Sequence, residues 1–501
     1  MGNELTAQLP PQEQQQSYWL PLFAIIIGAF VAILNNSLLN IAIPQLMNVF
    51  GSTQDRIQWV LTGYMLASGI IIPISGYAGD RLGYKKFFLL SLAVFTGGAF
   101  LCAIAWSDMT LIIARVIQGL GGGVIMPISM ALIYKIVPRN QIGMALGLWG
   151  ISAMVAPAIG PTLSGYLIEW FNWRFLFIIN IPIALFALFM VSILLKETEI
   201  DKTKTFDFMG FFLIATSCAT MLYALSNGNK VGWTSFEIVF LLYIAISALI
   251  LLIWVEKGKE NPIIELSLFK NFPFTLSLAI SSFLTVGLMG GMFLIPIYFQ
   301  NIQHISAVDT GILLMPQAIA MALMMPIAGK LFDKFGAIPV GVVGLILSAV
   351  PSYELYRLTA DTSHSWINFV LIVRGLGLGL CMMPINTAGM NAVLPKQVGN
   401  ASSLSNLIRQ VAGSISIAIL TMIMQKRAAL HGSYMAESIT LDNPAIFQVN
   451  GSSPISLSTL GSLIQLESTT RGIADTFWIA ALPLFLCIPL VFFFKKPKQT
   501  E

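Results

Sequence analysis

The sequence predicts an all-α membrane protein built from fourteen transmembrane helices, and three observations support that prediction. Of its 501 residues, 56% are hydrophobic and only 10% are charged, whereas soluble domains carry about 25% charged residues. Apolar runs recur that reach the roughly 20 residues needed to cross a hydrocarbon core. A charged segment at 76–86 returns in shorter form at 329–336, which indicates two related halves.

The apolar runs are predicted to be helices because an open sheet edge would leave backbone groups unpaired in lipid. The predicted spans are 19–46, 58–78, 86–106, 109–134, 141–168, 172–195, 207–227, 236–255, 272–300, 309–330, 338–358, 365–392, 399–425 and 475–494.

Most lysines and arginines fall in the loops on one side of this topology, which predicts that both termini are cytoplasmic. Spans seven and eight have no partner in the other half. We therefore expect a cytoplasmic N-terminal tail at 1–18, a six-helix bundle at 19–200, an inserted transmembrane hairpin at 201–260 and a second six-helix bundle at 261–501. The polar segment 426–474 is predicted to be a large external loop, serving as plain connection, cover or partner site.

The segment 76–86, GYAGDRLGYKK, joins an acid to basic residues between two spans. It resembles motif A of the major facilitator superfamily, G-x-x-x-D-R-x-G-R/K-K/R. An acid here can pair with a neighbouring cation or cap a helix N-terminus in one arrangement of the bundles. The contact breaks in the other arrangement, so the segment would act as a conformational latch. The alternative is a solvated basic loop without a mechanical role. The predicted latch consists of Gly76, Asp80, Arg81, Gly83 and Lys85, together with Asp333 of the second copy. Lys334 replaces the arginine there, so the second latch is predicted to be weaker.

Arg115 lies in the fourth apolar span and is followed by Gln118 and a run of glycines. An arginine in a membrane usually faces the bundle interior. The run resembles motif B of the superfamily, R-x-x-Q-G-x-G, and this resemblance implies a role in proton coupling for Arg115, with Asp80 and the echo at Arg374. The alternative for Arg115 is extension to the outer interface.

The fifth span contains APAIGPTLSG at 156–165, similar to motif C of the superfamily, G-x-x-x-G-P-x-x-G-G, which marks exporters. Small residues let helices approach closely, and proline bends them. The residues predicted to govern this bending are Pro157, Gly160, Pro161 and Gly165.

The first span carries LNNSLLNIAIP at 34–44, similar to the L-D-x-T-x-x-N-x-A-x-P pattern of the fourteen-span drug:proton antiporters. Asn35 stands where that pattern has an acid, and no carboxylate lies near the middle of any predicted helix. The arginines at mid-membrane therefore favour neutral, zwitterionic or anionic amphiphiles over purely cationic ones, although these arginines can equally pair with carbonyl groups. The predicted substrate cavity contains Asn35, Asn40, Gln118, Asn386, Asn406 and Arg409.

We therefore expect an exporter of small amphipathic compounds, monomeric in the lipid bilayer of the bacterial cytoplasmic membrane, with antiport against protons implied by the resemblance. The chain has no phosphate-binding loop and only three histidines, so no ATPase, enzyme, metal, cofactor or nucleic-acid role is expected. A dedicated exporter of an endogenous lipid, peptide or siderophore is the alternative within transport. A non-transporting scaffold or sensor is the alternative outside transport.

Overall fold

The computed structural model describes residues 18–39, 42–138, 141–259, 261–438 and 457–494, and Asn40 lies outside these ranges. The described part is helical throughout, which confirms the all-α prediction. The helices are α1 (Trp19–Leu39), α2 (Ile43–Phe50), α3 (Gln54–Ile57), α4 (Trp59–Ile71), α5 (Ile74–Leu82), α6 (Tyr84–Ala103), α7 (Asp108–Ile136), α8 (Ile142–Trp170), α9 (Phe175–Ile178), α10 (Asn180–Leu194), α11 (Phe208–Val231), α12 (Phe236–Glu256), α13 (Phe272–Ile297), α14 (Ala307–Phe335), α15 (Ala337–Glu354), α16 (His364–Asn391), α17 (Val398–Ser438) and α18 (Leu457–Val491).

Within the described residues, twelve helical segments are long and apolar enough to cross a membrane, and two bent pairs bring the number to fourteen. One bent pair is α4 with α5, which meet at 57° beside Pro73. The other is α8, which bends by 46° between its segments Ile142–Pro157 and Thr162–Trp170. Proline accounts for such breaks because it lacks the N–H that the preceding turn of helix would use.

Short polar side chains fix where several of these helices begin. Ser107 and Thr110 form a reciprocal capping box at the start of α7. The side chains of Asp207, Ser235 and Asn271 accept the first free backbone N–H groups of α11, α12 and α13. Such caps satisfy donors that the helix itself leaves unpaired, which matters most next to a membrane.

Helices α1 to α10 form the N-terminal half and α13 to α18 the C-terminal half, with the hairpin α11–α12 between them in sequence. The Ser217 hydroxyl of α11 donates to the Ala245 carbonyl of α12 at 2.9 Å. On its other side α11 contacts both halves: the Tyr223 ring lies 5.8 Å from Trp59 of α4, and Asn229 donates to the Ala418 carbonyl of α17 at 2.9 Å. The hairpin therefore covers a seam between α4 and α17.

Both described ends of the chain lie on the side of the two charged segments, which we call the loop side. Tyr18 donates a hydrogen bond to Gln141, at the start of α8. Near the other end, Val491 packs against Gly341, in the first turns of α15. An even number of membrane crossings places the two ends in this way.

The prediction of a large loop at 426–474 is wrong for most of its length. Helix α17 continues to Ser438, and α18 already begins at Leu457. Asp475 holds the two extensions together: its Oδ2 lies 2.8 Å from Arg427 Nε and 2.8 Å from His431 Nε2. A polar composition does not distinguish a loop from a solvated helix pair, because such helices need only a narrow apolar contact.

Candidate functional site

Asp80 is nearly buried at the end of α5, and both of its carboxylate oxygens are engaged. Oδ1 accepts a hydrogen bond from the Tyr84 hydroxyl at 2.9 Å, and Oδ2 lies 2.7 Å from Lys204 Nζ. Lys204 belongs to the segment that leads into the hairpin. The Asp80 carbonyl also accepts from the Asp201 N–H at 2.9 Å. The cation that pairs with this acid is thus Lys204 and not the adjacent Arg81.

The turn after Asp80 depends on Gly83, whose φ of +91° lies where side chains are rarely tolerated. This turn starts α6, and the Glu197 carboxylate accepts from the first N–H groups of the helix, those of Lys85 at 3.2 Å and Lys86 at 3.3 Å. A carboxylate at a helix N-terminus is favourable because it meets unpaired donors and the positive end of the dipole.

The same loop packs against the start of α17 in the opposite half. A Cβ on Gly76 would overlap the Asn400 side chain, and one on Gly399 would overlap the Tyr84 hydroxyl. Two adjacent serines of α17 add hydrogen bonds across the interface. Ser402 donates to the Pro127 carbonyl and Ser403 to the Ile72 carbonyl, each at 2.7 Å. The two halves are therefore in close contact on the loop side.

The second charged segment makes a different contact between the halves. The Asp333 carboxylate, near the end of α14, faces the backbone N–H groups of Gly143 and Met144 at the start of α8. The helices touch there without intervening side chains, because a Cβ on Gly329 would overlap the Gly143 carbonyl oxygen. The second copy thus caps a helix of the other half, which is the role that the sequence comparison assigned to the first copy.

Arg115 is fully buried, which rules out its extension to the outer interface. Its Nη1 donates to Gln118 Oε1 at 2.7 Å, and its Nε donates to the Val60 carbonyl at 3.1 Å. The guanidinium lies over the Tyr64 ring, 4.1 Å from the centroid. Glycines of α7 make room for Tyr64: a Cβ on Gly119 would lie 2.7 Å from the Tyr64 carbonyl oxygen, and one on Gly122 would overlap the Tyr64 hydroxyl.

Asn35 joins this cluster through its side-chain oxygen. Asn35 Oδ1 accepts from Gln118 Nε2 at 3.0 Å and from Asn180 Nδ2 at 3.3 Å. Two predicted cavity residues, Asn35 and Gln118, and the predicted coupling residue Arg115 therefore form one network. Asn35 and Gln118 are fully buried within the N-terminal half rather than open to a cavity.

Arg374 of α16 occupies the matching place in the C-terminal half but has different partners. Its Nε donates to the Ser352 hydroxyl at 2.9 Å, and its Nη2 donates to the Gly287 carbonyl. A Cβ on Gly291 would overlap the guanidinium, so glycine makes room for it. Nη1 is buried without a hydrogen-bond partner among the described residues.

The remaining predicted cavity residues lie apart from the Arg115 network. Asn386 accepts from the Ser281 hydroxyl at 3.2 Å within the C-terminal half. Asn406 donates to the Ser402 carbonyl one turn earlier on α17, at 2.9 Å. Arg409 lies on the same helix and is partly exposed. A cavity of about 720 Å³ lies on the loop side instead, lined by Lys204, Glu256 and Asn400 among others.

The small residues of α8 let it pack against helices of both halves. A Cβ on Gly160 would overlap the Ser37 hydroxyl of α1, and one on Gly165 would lie 2.6 Å from Val308 of α14. The Ser37 hydroxyl donates to the Pro157 carbonyl at 3.1 Å. The side chain of Pro161 is outside the described part of the structure.

Sequence reasoning missed four residues that the structure brings into these sites. Tyr84 lies only four residues after Asp80, but the two belong to different helices, so their contact depends on the turn at Gly83 rather than on helical spacing. Asn180 is a polar residue inside an apolar run, which is a visible signal. Lys204 and Glu197 carry no such signal, because more than a hundred residues separate them from their partners.

Comparison with known proteins agrees with this architecture. A family model described as Major Facilitator Superfamily matches residues 25–417. An uncharacterized MFS-type transporter of Bacillus subtilis, YhcA, is 35% identical over 477 residues, which cover 92% of this chain and 90% of the relative. The multidrug export protein EmrB of Haemophilus influenzae is 30% identical over 509 residues and 99% of both chains. The lincomycin resistance protein LmrB of Listeria monocytogenes is 29% identical over 81% of this chain and 86% of its own length.

Solved structures support the same fold at lower sequence identity. The human organic anion transporter MFSD10 superposes with a TM-score of 0.64 at 14% identity, over 96% of this chain and 100% of that one. The proton:xylose symporter XylE gives a TM-score of 0.61 at 13% identity, over 94% and 96%.

Proposed function

This chain belongs to the major facilitator superfamily, and we propose that it is a secondary exporter of amphipathic compounds rather than an enzyme. The relative named as a multidrug export protein aligns along 99% of both chains, and this observation carries the proposal. The protein is a multi-pass membrane protein. We place it in the bacterial cytoplasmic membrane as a monomer, with the loop side and both termini facing the cytoplasm.

Alternating access is the proposed mechanism, and the packing of the two halves supports it. The halves are joined on the loop side by Gly76 against Asn400 and by Gly329 against Gly143. Farther along α17, residues 408–415 are all partly exposed. The arrangement fits a state that is closed toward the cytoplasm, from which a rocking motion of the halves would open the loop side.

Proton antiport is the proposed driving force. Within the described spans the arginine cluster around Arg115 contains no carboxylate, since its polar partners are Gln118, Asn35 and backbone carbonyls. A proton must therefore bind at an acid elsewhere, and Asp80 of the first charged segment is the proposed site. In this scheme Arg115 and Arg374 keep a positive charge at mid-membrane, and protonation of Asp80 loosens the contact between the halves.

Efflux from proteoliposomes with and without an imposed pH gradient tests this proposal. Inside-out-oriented protein should move an amphipathic dye against its concentration gradient only when protons can flow the other way, and a protonophore should stop the transport. Empty liposomes and liposomes containing heat-denatured protein are the controls. Transport that ignores the pH gradient would remove proton coupling, and no gradient-dependent transport of any tested amphiphile would favour a dedicated exporter or a scaffold.

A further inference from the structure

Arg409 is partly exposed, and unlike the other two arginines at mid-membrane it has no hydrogen bond or ion pair within the described part of the chain. Its Nε and Nη2 atoms are buried and lack a hydrogen-bond acceptor among the described residues. No ion pair or aromatic ring contacts it in that part of the chain either. The guanidinium of Arg115 contacts a side-chain amide, a backbone carbonyl and an aromatic ring, and that of Arg374 contacts a hydroxyl and a backbone carbonyl.

The position of Arg409 makes an unpaired charge costly. It lies eleven residues beyond Val398, the first residue of α17. At 1.5 Å per residue this is ~17 Å along the helix, about half of a ~30 Å hydrocarbon core. An arginine stays charged under all ordinary conditions, and a buried charge without a counter-charge is strongly unfavourable. The polar neighbours on α17 point their amide groups elsewhere: Asn406 Nδ2 donates to the Ser402 carbonyl, Gln410 Nε2 donates to the Met65 carbonyl, and neither side chain is hydrogen-bonded to Arg409.

No carboxylate in the described part of the chain forms an ion pair with Arg409. Asp80 pairs with Lys204, Asp108 with Arg56, and Asp475 with Arg427. Asp207 pairs with Lys259, and Asp333 faces the start of α8. The guanidinium of Arg409 is therefore free, within the described structure, to take its counter-charge from a ligand.

A ligand has a route to this residue, because Arg409 lies where the two halves face each other. Residues 408–415 of α17 are partly exposed, unlike 401–407 below them, which are buried. The Gln410 side chain donates a hydrogen bond to the Met65 carbonyl of α4 at 3.2 Å. A Cβ placed on Gly413 would lie 3.7 Å from Thr285 of α13. Arg409 thus sits between helices of opposite halves, at the depth where transporters of this architecture hold their cargo.

We propose that Arg409 binds the anionic group of the exported amphiphile, a carboxylate, sulfonate or phosphate ester. This inference rests on the proposed export function and names the substrate class. The guanidinium fork donates to two oxygens of such a group at once, in a planar geometry that a lysine ammonium does not offer. A lipophilic cation would meet the same charge as repulsion, so the residue also discriminates against cationic compounds.

Two dyes that share a xanthene scaffold test the proposal, anionic fluorescein and cationic rhodamine 123. Binding is measured by fluorescence anisotropy on the full-length protein in phosphatidylcholine nanodiscs. Arg409→Gln should weaken fluorescein binding at least about tenfold, as expected for loss of a charge-assisted hydrogen bond, and leave rhodamine 123 binding unchanged or stronger. Arg409→Lys should recover part of the loss. Arg471→Gln is the matched control, because Arg471 is exposed on α18 and pairs with Glu467.

Equal fluorescein affinity in the wild type and Arg409→Gln would overturn the inference, as would failure of the wild type to bind fluorescein. Thermal unfolding of the ligand-free variants adds an independent readout. Arg409→Gln should unfold at the same temperature as the wild type or higher, because it removes an unpaired buried charge. A lower unfolding temperature with loss of both dyes would make Arg409 a structural residue and refute the proposal. Wild-type protein that binds fluorescein through Arg409 but shows no gradient-dependent efflux would refute the export function and keep the anion site.

Discussion

The two charged segments occupy equivalent places in the two halves, yet their acids bind different partners. Asp80 is held on its own side of the interface by Tyr84 and by Lys204. Asp333 instead reaches the backbone N–H groups that begin α8 in the opposite half. The copy that is less well preserved in sequence therefore makes the direct carboxylate contact between the halves.

The two charged segments therefore perform different tasks: the first shapes a loop, and the second caps a helix of the opposite half. The first segment uses its acid to shape a loop, and the shaped loop presents Gly76 and Tyr84 to α17. The second segment uses a glycine for close approach and its acid as a cap on the neighbouring helix. Because the second contact needs only backbone donors from its partner, it tolerates loss of the basic residues that the first segment retains.

The buried arginines of the two halves, Arg115 and Arg374, also bind different kinds of partner. Arg115 is bound mainly by side chains, and its network extends through Gln118 to Asn35. Arg374 is bound by a serine and a backbone carbonyl. We infer that the N-terminal half holds its charge in a more specific geometry, one that a substitution of Gln118 or Asn35 would disturb.

The largest expected effect in this comparison belongs to Asp80→Asn. The amide removes the charge that holds Lys204, so the loop loses the geometry that receives α17, and a contact of about 1–3 kcal/mol is lost. Because the states of an alternating-access cycle differ by only a few kcal/mol, we expect gradient-dependent efflux to be abolished while membrane expression is retained. Dye efflux from vesicles measures this. Glu199→Gln is the control, since it removes an exposed carboxylate from the same connecting segment, and wild-type efflux by Asp80→Asn would refute the latch.

Gly329→Ala should have the next largest effect. Its Cβ would overlap a backbone oxygen of Gly143, which a side-chain rotation cannot relieve, so α8 and α14 must separate at a cost of about 1–3 kcal/mol. We expect faster maleimide labelling of a cysteine placed at Ser402, together with roughly tenfold slower efflux. The four native cysteines are buried and should not interfere.

Gly97→Ala is the matched control for this substitution, because a Cβ there meets no atom within 4 Å. It lies in α6, so it changes a helical glycine in the same way without touching the interface. Equal labelling rates in Gly329→Ala and Gly97→Ala would show that the contact between α8 and α14 does not limit opening of the loop side.

Asp333→Asn should have the smallest effect of the three. The amide oxygen still accepts hydrogen bonds from the start of α8, and only the charge interaction with the helix dipole is lost, about 0.3–2 kcal/mol. We expect efflux to fall several-fold rather than vanish, with Asp361→Asn, an exposed change, as the control. An Asp333→Asn defect as complete as that of Asp80→Asn would mean that Asp333 carries the proton, which would reverse the roles of the two segments.

Much of the fold was predictable because its determinants are local. The apolar runs, the two charged segments and the bend at 156–165 are all visible within windows of about 20 residues, the length that a membrane crossing requires. The division of the first apolar run was not predictable in this way, since the predicted span 19–46 covers α1 and the start of a second helix, α2. The helical character of 426–438 and 457–474 was missed because polar helices are stabilised by contact with each other rather than by lipid.

For the candidate site, too, some features were predictable from the sequence and others were not. The sequence by itself determined that Asp80, Asp333 and three arginines lie in or beside the membrane, because burying charge there is costly and such residues are rare without a function. Only the tertiary structure decided their partners: Lys204 for Asp80, the start of α8 for Asp333, and Gln118 and Tyr64 for Arg115. For Nε and Nη2 of Arg409 it shows no acceptor among the residues that it describes. Pairing of charges depends on distances between helices that are far apart in sequence, and helix packing alone sets those distances.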